Sequence, residues 1–452
     1  MKKIIVFALL LSAFLMISCS SDSEKADKLR LENKFEEAAE LYQKAADEGD
    51  AYAKWRLSNA YGNGDGVPCD KEKALELLKE ASKEGCEEAT CDLALAYMFD
   101  TYNIGKNVPK GIEIIENLAE KTSNSYVMAE YAWNISDENE RKTVDILKNI
   151  KDKNNPAYLF AMGQLYFYGN SIIDIDVDKA IEYFTKAFEQ GYRASAQYLS
   201  YIYDNGYGDV KPSKDKKIAW LKRGCDSNQI DCMANMAMIY LSDDSTYHDY
   251  RNPQKGIELL KKAALRGNGD AYYNLGNLYY KGEYVPKDDV NAFNCWEKAA
   301  NLNDPDGADN LAYAYMEGVG CEKDIEKGLE IYKKAVEYGS GFAANKLFYA
   351  YWTGERGVQI DKSLAKMYLL KAAELGDPVG CFNLGKHYAK GSQLINKNLD
   401  QAFVYIKKAA DMGLVDACKI IALFYENGLG IDKNPQKAKE YRDKTIIEDE
   451  GK

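Results

Sequence analysis

The stretch Gly307-Ala308-Asp309-Asn310-Leu311-Ala312-Tyr313-Ala314-Tyr315-Met316-Glu317-Gly318-Val319-Gly320-Cys321-Glu322-Lys323-Asp324-Ile325-Glu326-Lys327-Gly328 decides the fold. Gly307, Leu311 and Tyr315 are four apart, so a small, an aliphatic and an aromatic side chain share one helix face. Gly318, three residues after the tyrosine, suits the left-handed conformation that ends a helix. Lys327-Gly328 then opens a second periodic stretch. The passage predicts a helix, a glycine-rich connection and a second helix.

Working outward, the same columns recur along the chain. The Leu-x-x-x-Tyr pair returns as Leu57/Tyr61, Leu93/Tyr97, Met162/Tyr166, Leu199/Tyr203, Met236/Tyr240, Leu275/Tyr279, Leu347/Tyr351, Leu384/Tyr388 and Ile421/Tyr425. Successive tyrosines mostly lie 36 to 39 residues apart, and the 69-residue gap from Tyr97 to Tyr166 fits one degenerate repeat with Trp133 in the tyrosine column. The second stretch closes on Ala-Ala-x-x-Gly, as at Ala263 to Gly267 and Ala372 to Gly376. Such a hairpin cannot bury its apolar face alone and must stack on its neighbours.

These residues resemble the Sel-1-like repeat family, a branch of the tetratricopeptide superfamily. The connection Gly318 to Gly328 and its counterpart Gly428-Leu429-Gly430-Ile431-Asp432-Lys433-Asn434-Pro435-Gln436-Lys437-Ala438 carry the resemblance, which covers about residues 33–445. It implies an all-α fold, a right-handed α/α superhelix (solenoid) of about eleven helical hairpins. The segment 102–155 lacks the glycines and is where a kink or break is expected, and 446–452 reads as a charged tail.

Residues 1–18 read as an address. Lys2 and Lys3 precede the apolar run Ile4 to Ile17, which is too short to span a bilayer comfortably and suits a secretory signal. The run ends at Met16-Ile17-Ser18-Cys19, which resembles a bacterial lipoprotein signal and implies acylation at Cys19, with 19–32 as a polar linker and the start of the first helix. The expected location is therefore the cell envelope, lipid-anchored to a bacterial membrane. Losing Lys2 and Lys3 with the leader takes the formal charge from −12 to −14. That charge, without any basic stripe, argues against nucleic acid as a partner.

Two histidines and no Cys-x-x-Cys pair give little to a metal, and no cofactor is implied. Cys225 and Cys232 end one helix and begin the next, and antiparallel neighbours bring such ends to disulfide distance. The pair is similar to that of cysteine-rich members of the family. Ser213-x-x-Lys216 and Ser363-x-x-Lys366 match the nucleophile motif of penicillin-binding proteins. Neither Ser-Asp-Asn nor Lys-Thr-Gly occurs, so no base or oxyanion partner accompanies them. His387 reads as a surface helix residue.

The column tyrosines read as core. A second aromatic set, Trp55, Tyr131, Phe160, Tyr201, Tyr273, Tyr313, Tyr349 and Phe382, lies on the opposite face of the first helices. In tetratricopeptide arrays that face lines the concave groove, so these residues are candidate anchors for a protein or peptide partner. The competing reading packs them between adjacent first helices. The expectation is a monomeric, non-enzymatic scaffold that binds proteins through this groove. The rivals are an envelope enzyme or precursor-binding protein of β-lactamase-like activity, and a purely structural array.

Overall fold

A computed structural model describes residues 21–102, 104–135, 139–337 and 339–449. The expected signal 1–18, the acylation site Cys19 and the last residues of the charged tail lie outside the described residues. Within them are 24 α-helices and no β-strand, apart from an isolated bridge between Tyr207 and Val210. The helices pair into hairpins. None is long and apolar enough to cross a membrane.

The chain divides into two compact units, residues 1–266 and 267–452. Unit 1 runs from the helix Asp22–Leu31 to the helix Pro253–Leu265, and unit 2 from Gly269–Lys281 to Pro435–Asp449. In both, the first helix of each hairpin turns its four-spaced stripe inward. Ala53 with Leu57, and Ala343 with Leu347, are fully buried. Large side chains of the second helix meet that stripe where the residue after the column aliphatic is glycine. A β-carbon on Gly276 would stand 2.5 Å from the Trp296 indole, and one on Gly385 would stand 2.5 Å from Ile406.

In most hairpins one polar residue starts the second helix and ties it to the column tyrosine. The backbone N–H groups of Asp70, Asp176, Asp324 and Asn434 donate to the carbonyls of Tyr61, Tyr166, Tyr315 and Tyr425 over 2.8–3.0 Å. Their side chains accept the N–H of the lysine three residues on, at 2.9 Å for Lys73 and Lys327 and 3.0 Å for Lys179 and Lys437. The same lysine lays its ammonium over the column ring, 4.2 Å from the centroid in both Lys73–Tyr61 and Lys327–Tyr315. Column tyrosines such as Tyr61 and Tyr166 are therefore half-buried, covered on one side by a lysine.

This pairing corrects the register of the degenerate repeat. Asn139 caps the helix Glu140–Asn149, and Lys142 lies 4.9 Å over the ring of Tyr131. Val127, four residues before Tyr131, is fully buried. Asn139 donates its N–H to the Ile135 carbonyl, and Val127, Tyr131 and Ile135, four apart, are all buried, so the inward stripe runs through these three and Trp133 lies off it. The core runs through this segment, from Cys91, Ile115, Val127 and Tyr131 into the cluster of Ala132, Val144, Leu147 and Leu159. Its three helices, Val108–Ala119, Ser125–Asn134 and Glu140–Asn149, are shorter than the thirteen-residue helices common elsewhere.

Stacking depends on the second glycine of the connection. Gly320 has φ +69°, and a β-carbon there would stand 2.0 Å from the carbonyl oxygen of Asp289, at the start of the preceding repeat's second helix. Only glycine combines that conformation with that approach.

Unit 1 also curls on itself. Asp65, just after the helix Ala51–Asn63, accepts hydrogen bonds from Arg193, Asn228 and Arg266, which lie 128, 163 and 201 residues further on. Arg193 also lies over the ring of Phe35, 5.5 Å from its centroid.

Candidate partner-binding groove

Three successive first helices of unit 1, Pro156–Tyr168, Ser195–Asn205 and Ile230–Leu241, build an open groove of about 700 Å³. The inward stripe Ser195–Leu199 is fully buried, which leaves Tyr201 facing out of the same helix. Tyr168, Tyr201 and Met238 line the groove and are 54%, 50% and 42% exposed. Rings behind them hold these anchors in place. Phe167 meets Tyr168 at 4.9 Å and Tyr201 at 6.4 Å, and Tyr207 stands 5.7 Å from Tyr201. Trp133 extends the surface at 6.1 Å from Tyr168.

The far rim is the insertion between the helix Ile230–Leu241 and its partner, folded as a 3-10 helix over Ser245–Tyr250. Lys217 pins it by donating to the Tyr247 hydroxyl at 3.0 Å and to Asp204 at 2.8 Å, while Lys214 donates to the Thr246 carbonyl at 2.9 Å. His248 and Asp249 of this loop point into solvent, and no group of three or more metal-ligating side chains occurs among the described residues. Burial tends to lower the Lys217 pKa, but its bonds to Asp204 and Tyr247 hold it above its ordinary value. Burial, and then the neighbouring Tyr198, push the Tyr168 phenol up to about 12. The groove floor is thus aromatic and uncharged at neutral pH, with its one ammonium already paired to Asp204. Such a surface suits an apolar or aromatic segment with hydrogen-bonding backbone, not a charged ligand.

Of the eight aromatic candidates, the structure brings only Tyr201 to this groove. Trp55, Tyr131 and Phe160 are buried, so for them packing between helices wins. Trp55 donates its indole N–H to Asp92 at 2.6 Å, and the Tyr126 hydroxyl donates to the other oxygen of that carboxylate at 2.6 Å. Phe160 stacks on Tyr192 at 4.3 Å. Tyr273, Tyr313, Tyr349 and Phe382 are half-buried in unit 2. Tyr313 shares a hydrogen bond with Tyr280 at 3.3 Å, and the Tyr349 hydroxyl accepts from Asn383 at 2.9 Å.

His387 is not the surface residue its sequence position suggested. It is half-buried between Phe348 and Trp352, with Nδ1 2.8 Å from the Ser392 hydroxyl, beside a recess of about 290 Å³. Burial, and then Lys386, lower its pKa.

Ser213 of the Ser-x-x-Lys motif is a helix cap. Its hydroxyl accepts the Lys216 N–H at 3.5 Å, and the Lys216 ammonium lies 4.7 Å over the Tyr203 ring. Ser363 sits inside the first turn of the helix Lys362–Glu374, capped by Asp361. Cys225 and Cys232 are free thiols in one apolar cluster, with the Cys232 sulfur packed on Gly224. Burial raises both thiol pKa values, that of Cys225 to about 12.

Tyr168, Met238 and Tyr247 were missed at the sequence level. Tyr168 lies two residues past a column tyrosine and Tyr247 lies in an insertion, so neither falls in a repeating column.

Stacked helical hairpins with small-aliphatic-tyrosine columns define the class as an all-α repeat solenoid of tetratricopeptide type. The chain belongs to the Sel1 repeat family, whose profile matches residues 31–50, 51–86, 156–192, 194–229, 230–268, 269–304, 305–340, 341–377, 378–414 and 415–441. It is 25% identical over 303 residues to the chitin synthase regulator SKT5 of Saccharomyces cerevisiae, covering 66% of this chain and 38% of that protein. It is also 25% identical over 271 residues to the ERAD-associated E3 ubiquitin-protein ligase component HRD3B of Arabidopsis thaliana, covering 56% and 36%. Thus the chain spans less than two fifths of the length of these curated relatives. Among solved structures, c5321, a protective antigen in uropathogenic Escherichia coli strains displaying an SLR fold, is 23% identical with TM-score 0.43, covering 92% of this chain and 91% of that one. A Sel1 repeat protein from Oxalobacter formigenes is 26% identical with TM-score 0.43, covering 68% and 86%.

Proposed function

We propose that this protein is a non-enzymatic scaffold of the cell envelope. It is lipid-tethered through Cys19 and holds a protein partner in the groove of Tyr168, Tyr201 and Met238. The observation that carries this reading is the exposure of those three large side chains on adjacent first helices, with Phe167 and Tyr207 bracing the tyrosines from behind. A monomeric protein gains nothing from leaving such anchors in water, whereas a partner that covers them gains most of its affinity there. The names of relatives, a chitin synthase regulator and a ubiquitin-ligase component, support a role exerted through other proteins. The leader and its Ser18-Cys19 junction support the tether.

The test is crosslinking and pull-down from native envelopes, comparing wild type with Tyr201→Ala/Met238→Ala. Specific partners should disappear while helicity and melting stay unchanged. Equal recovery by both proteins would refute the groove. For the tether, Cys19→Ser should move the protein from the membrane to the soluble envelope fraction, and an unchanged membrane fraction counts against acylation there.

A further inference from the structure

Beside the groove, unit 1 holds a smaller recess of about 200 Å³ between the helices Glu87–Phe99, Ser125–Asn134 and Pro156–Tyr168. Phe99, Trp133, Phe160 and Tyr192 form its aromatic walls, and its polar side chains are Glu130, Gln164 and Asn134, the last donating its amide nitrogen to the Glu130 backbone carbonyl at 2.8 Å. Gln164 is only 3% exposed. Its amide nitrogen donates to the Tyr198 hydroxyl at 3.0 Å, and its carbonyl oxygen Oε1 has no partner. One oxygen of Glu130 accepts from the Tyr192 hydroxyl at 3.1 Å. Phe160 and Tyr192 lie stacked at 4.3 Å. No basic side chain lines the recess.

The chemistry of these groups selects a ligand class. A buried acceptor with nothing to accept is costly, so the Gln164 oxygen calls for a donor. A carboxylate next to it calls for positive charge, and aromatic walls stabilise a cation while covering a short alkyl chain. An anion would meet the Glu130 carboxylate and no basic side chain, and a purely apolar ligand would leave Gln164 unsatisfied. We propose that this recess binds a primary alkylammonium group, which donates to the Glu130 carboxylate and the Gln164 carbonyl with its methylenes along the aromatic walls. A partner's lysine side chain and a free diamine both present that group.

Binding of this kind is coupled to a proton. Burial pushes the Glu130 carboxyl up to about 7, the nearby Asp92 adds to the rise, and the Tyr192 hydroxyl opposes it. Cys91 and Tyr126 also face this carboxyl, with pKa values raised by burial, so neither brings charge at neutral pH. An ammonium demands the ionised carboxylate. At pH 6 its binding therefore releases close to one proton, and affinity rises about tenfold between pH 6 and pH 8.

The proposal stands apart from the groove reading, because it uses none of Tyr168, Tyr201 or Met238. Isothermal calorimetry on the full chain tests it, with 1,5-diaminopentane and Nα-acetyl-lysine methylamide as probes and 1-pentanol as the uncharged control. The expected result is binding of an amine and not of the alcohol, with proton release at pH 6 read from buffers of different ionisation heat. Glu130→Gln should weaken binding at least tenfold and abolish the proton release, and Gln164→Leu should also weaken it. If both amines bind, the partner's lysine is the source of the group. If only the diamine binds, a free amine is. Absence of binding by either amine, equal binding of 1-pentanol, or undiminished binding by Glu130→Gln would overturn the proposal. If Glu130→Gln fails to fold, proton release by the wild type decides alone, and its absence is equally fatal.

Discussion

Asp65 and Arg266 are 201 residues apart in sequence, yet the Arg266 guanidinium donates to Asp65 Oδ1 across 2.8 Å with both side chains buried. Arg193 grips the same carboxylate with two bonds of 3.1 and 2.6 Å, and Asn228 adds a fourth at 2.8 Å. One carboxylate thus joins the loop after an early helix of unit 1 to three loops far along the stack. Each repeat of a solenoid touches mainly its neighbours, so this clasp is a long-range tie laid over a chain of local ones.

Removing that carboxylate leaves two guanidinium groups without their counter-charge. Asp65→Ala should cost about 3–5 kcal/mol, the range for breaking one side of a buried ion pair. Urea unfolding should show the midpoint falling, and hydrogen exchange should quicken in the loops of Arg193, Asn228 and Arg266. A variant as stable as wild type would mean the clasp is incidental.

Unit 2 carries a pH-sensitive carboxyl. Asp309 is buried, and Ser340 donates to it at 2.8 Å. Burial raises its pKa to about 7, with Asp306 and Asp304 adding to the rise and Ser340 and Lys346 opposing it. The folded chain therefore holds this proton more tightly than the unfolded chain does. The stability it contributes is complete below about pH 4 and lost as pH rises through 7. Asp309→Asn should stabilise the protein at pH 8 by on the order of 2 kcal/mol and change little at pH 4. Melting at the two pH values checks this, and an equal effect at both contradicts it.

The aromatic residues separate into two kinds. Trp55→Ala should cost about 3–5 kcal/mol, because it empties a buried site and strips a donor from Asp92. Tyr201→Ala, at a half-exposed position, should change stability by less than about 0.5 kcal/mol. Denaturation of the two variants compares them directly. Equal destabilisation would place Tyr201 in the core and remove the basis of the groove.

The glycine after the column aliphatic is a packing position. Gly276→Val would drive a side chain into the Trp296 indole, 2.5 Å from where its β-carbon would stand. The expected cost is about 1–3 kcal/mol. Calorimetry of the variant should show it, and an unchanged melting temperature would mean that Trp296 repacks freely.

Cys225 and Cys232, free thiols in the structure, should join if the proposed envelope location exposes the chain to an oxidising compartment. Peptide mapping by mass spectrometry should find the linked pair, and reduction should lower stability by about 2.5 kcal/mol. Recovery of both as free thiols after oxidative maturation refutes the bond.

Much of the fold was legible because it is written locally and repeated. The spacing of Gly307, Leu311 and Tyr315, the stop at Gly318 and the opening at Lys327 each act within a turn or two of helix. Ten copies make the register plain. Where the copy is imperfect, local reading slips. The inward stripe there is Val127, Tyr131 and Ile135, and without a glycine to mark the turn Trp133 looked like the column residue.

The sequence by itself determined that the chain is a stack of helical hairpins, because helix periodicity, caps and glycine stops are decided by neighbours along the chain. It did not determine which outer aromatics stay in water. Tyr201, Tyr313 and Tyr349 each follow the column aliphatic by two residues, yet of the three only Tyr201 is left exposed. That difference depends on what the neighbouring first helices bring against each ring: Tyr280 against Tyr313, and Asn383 against Tyr349. The clasp at Asp65 belongs to the tertiary structure for the same reason. It forms only because small rotations between successive repeats add up until distant loops meet, and no local pattern encodes that sum.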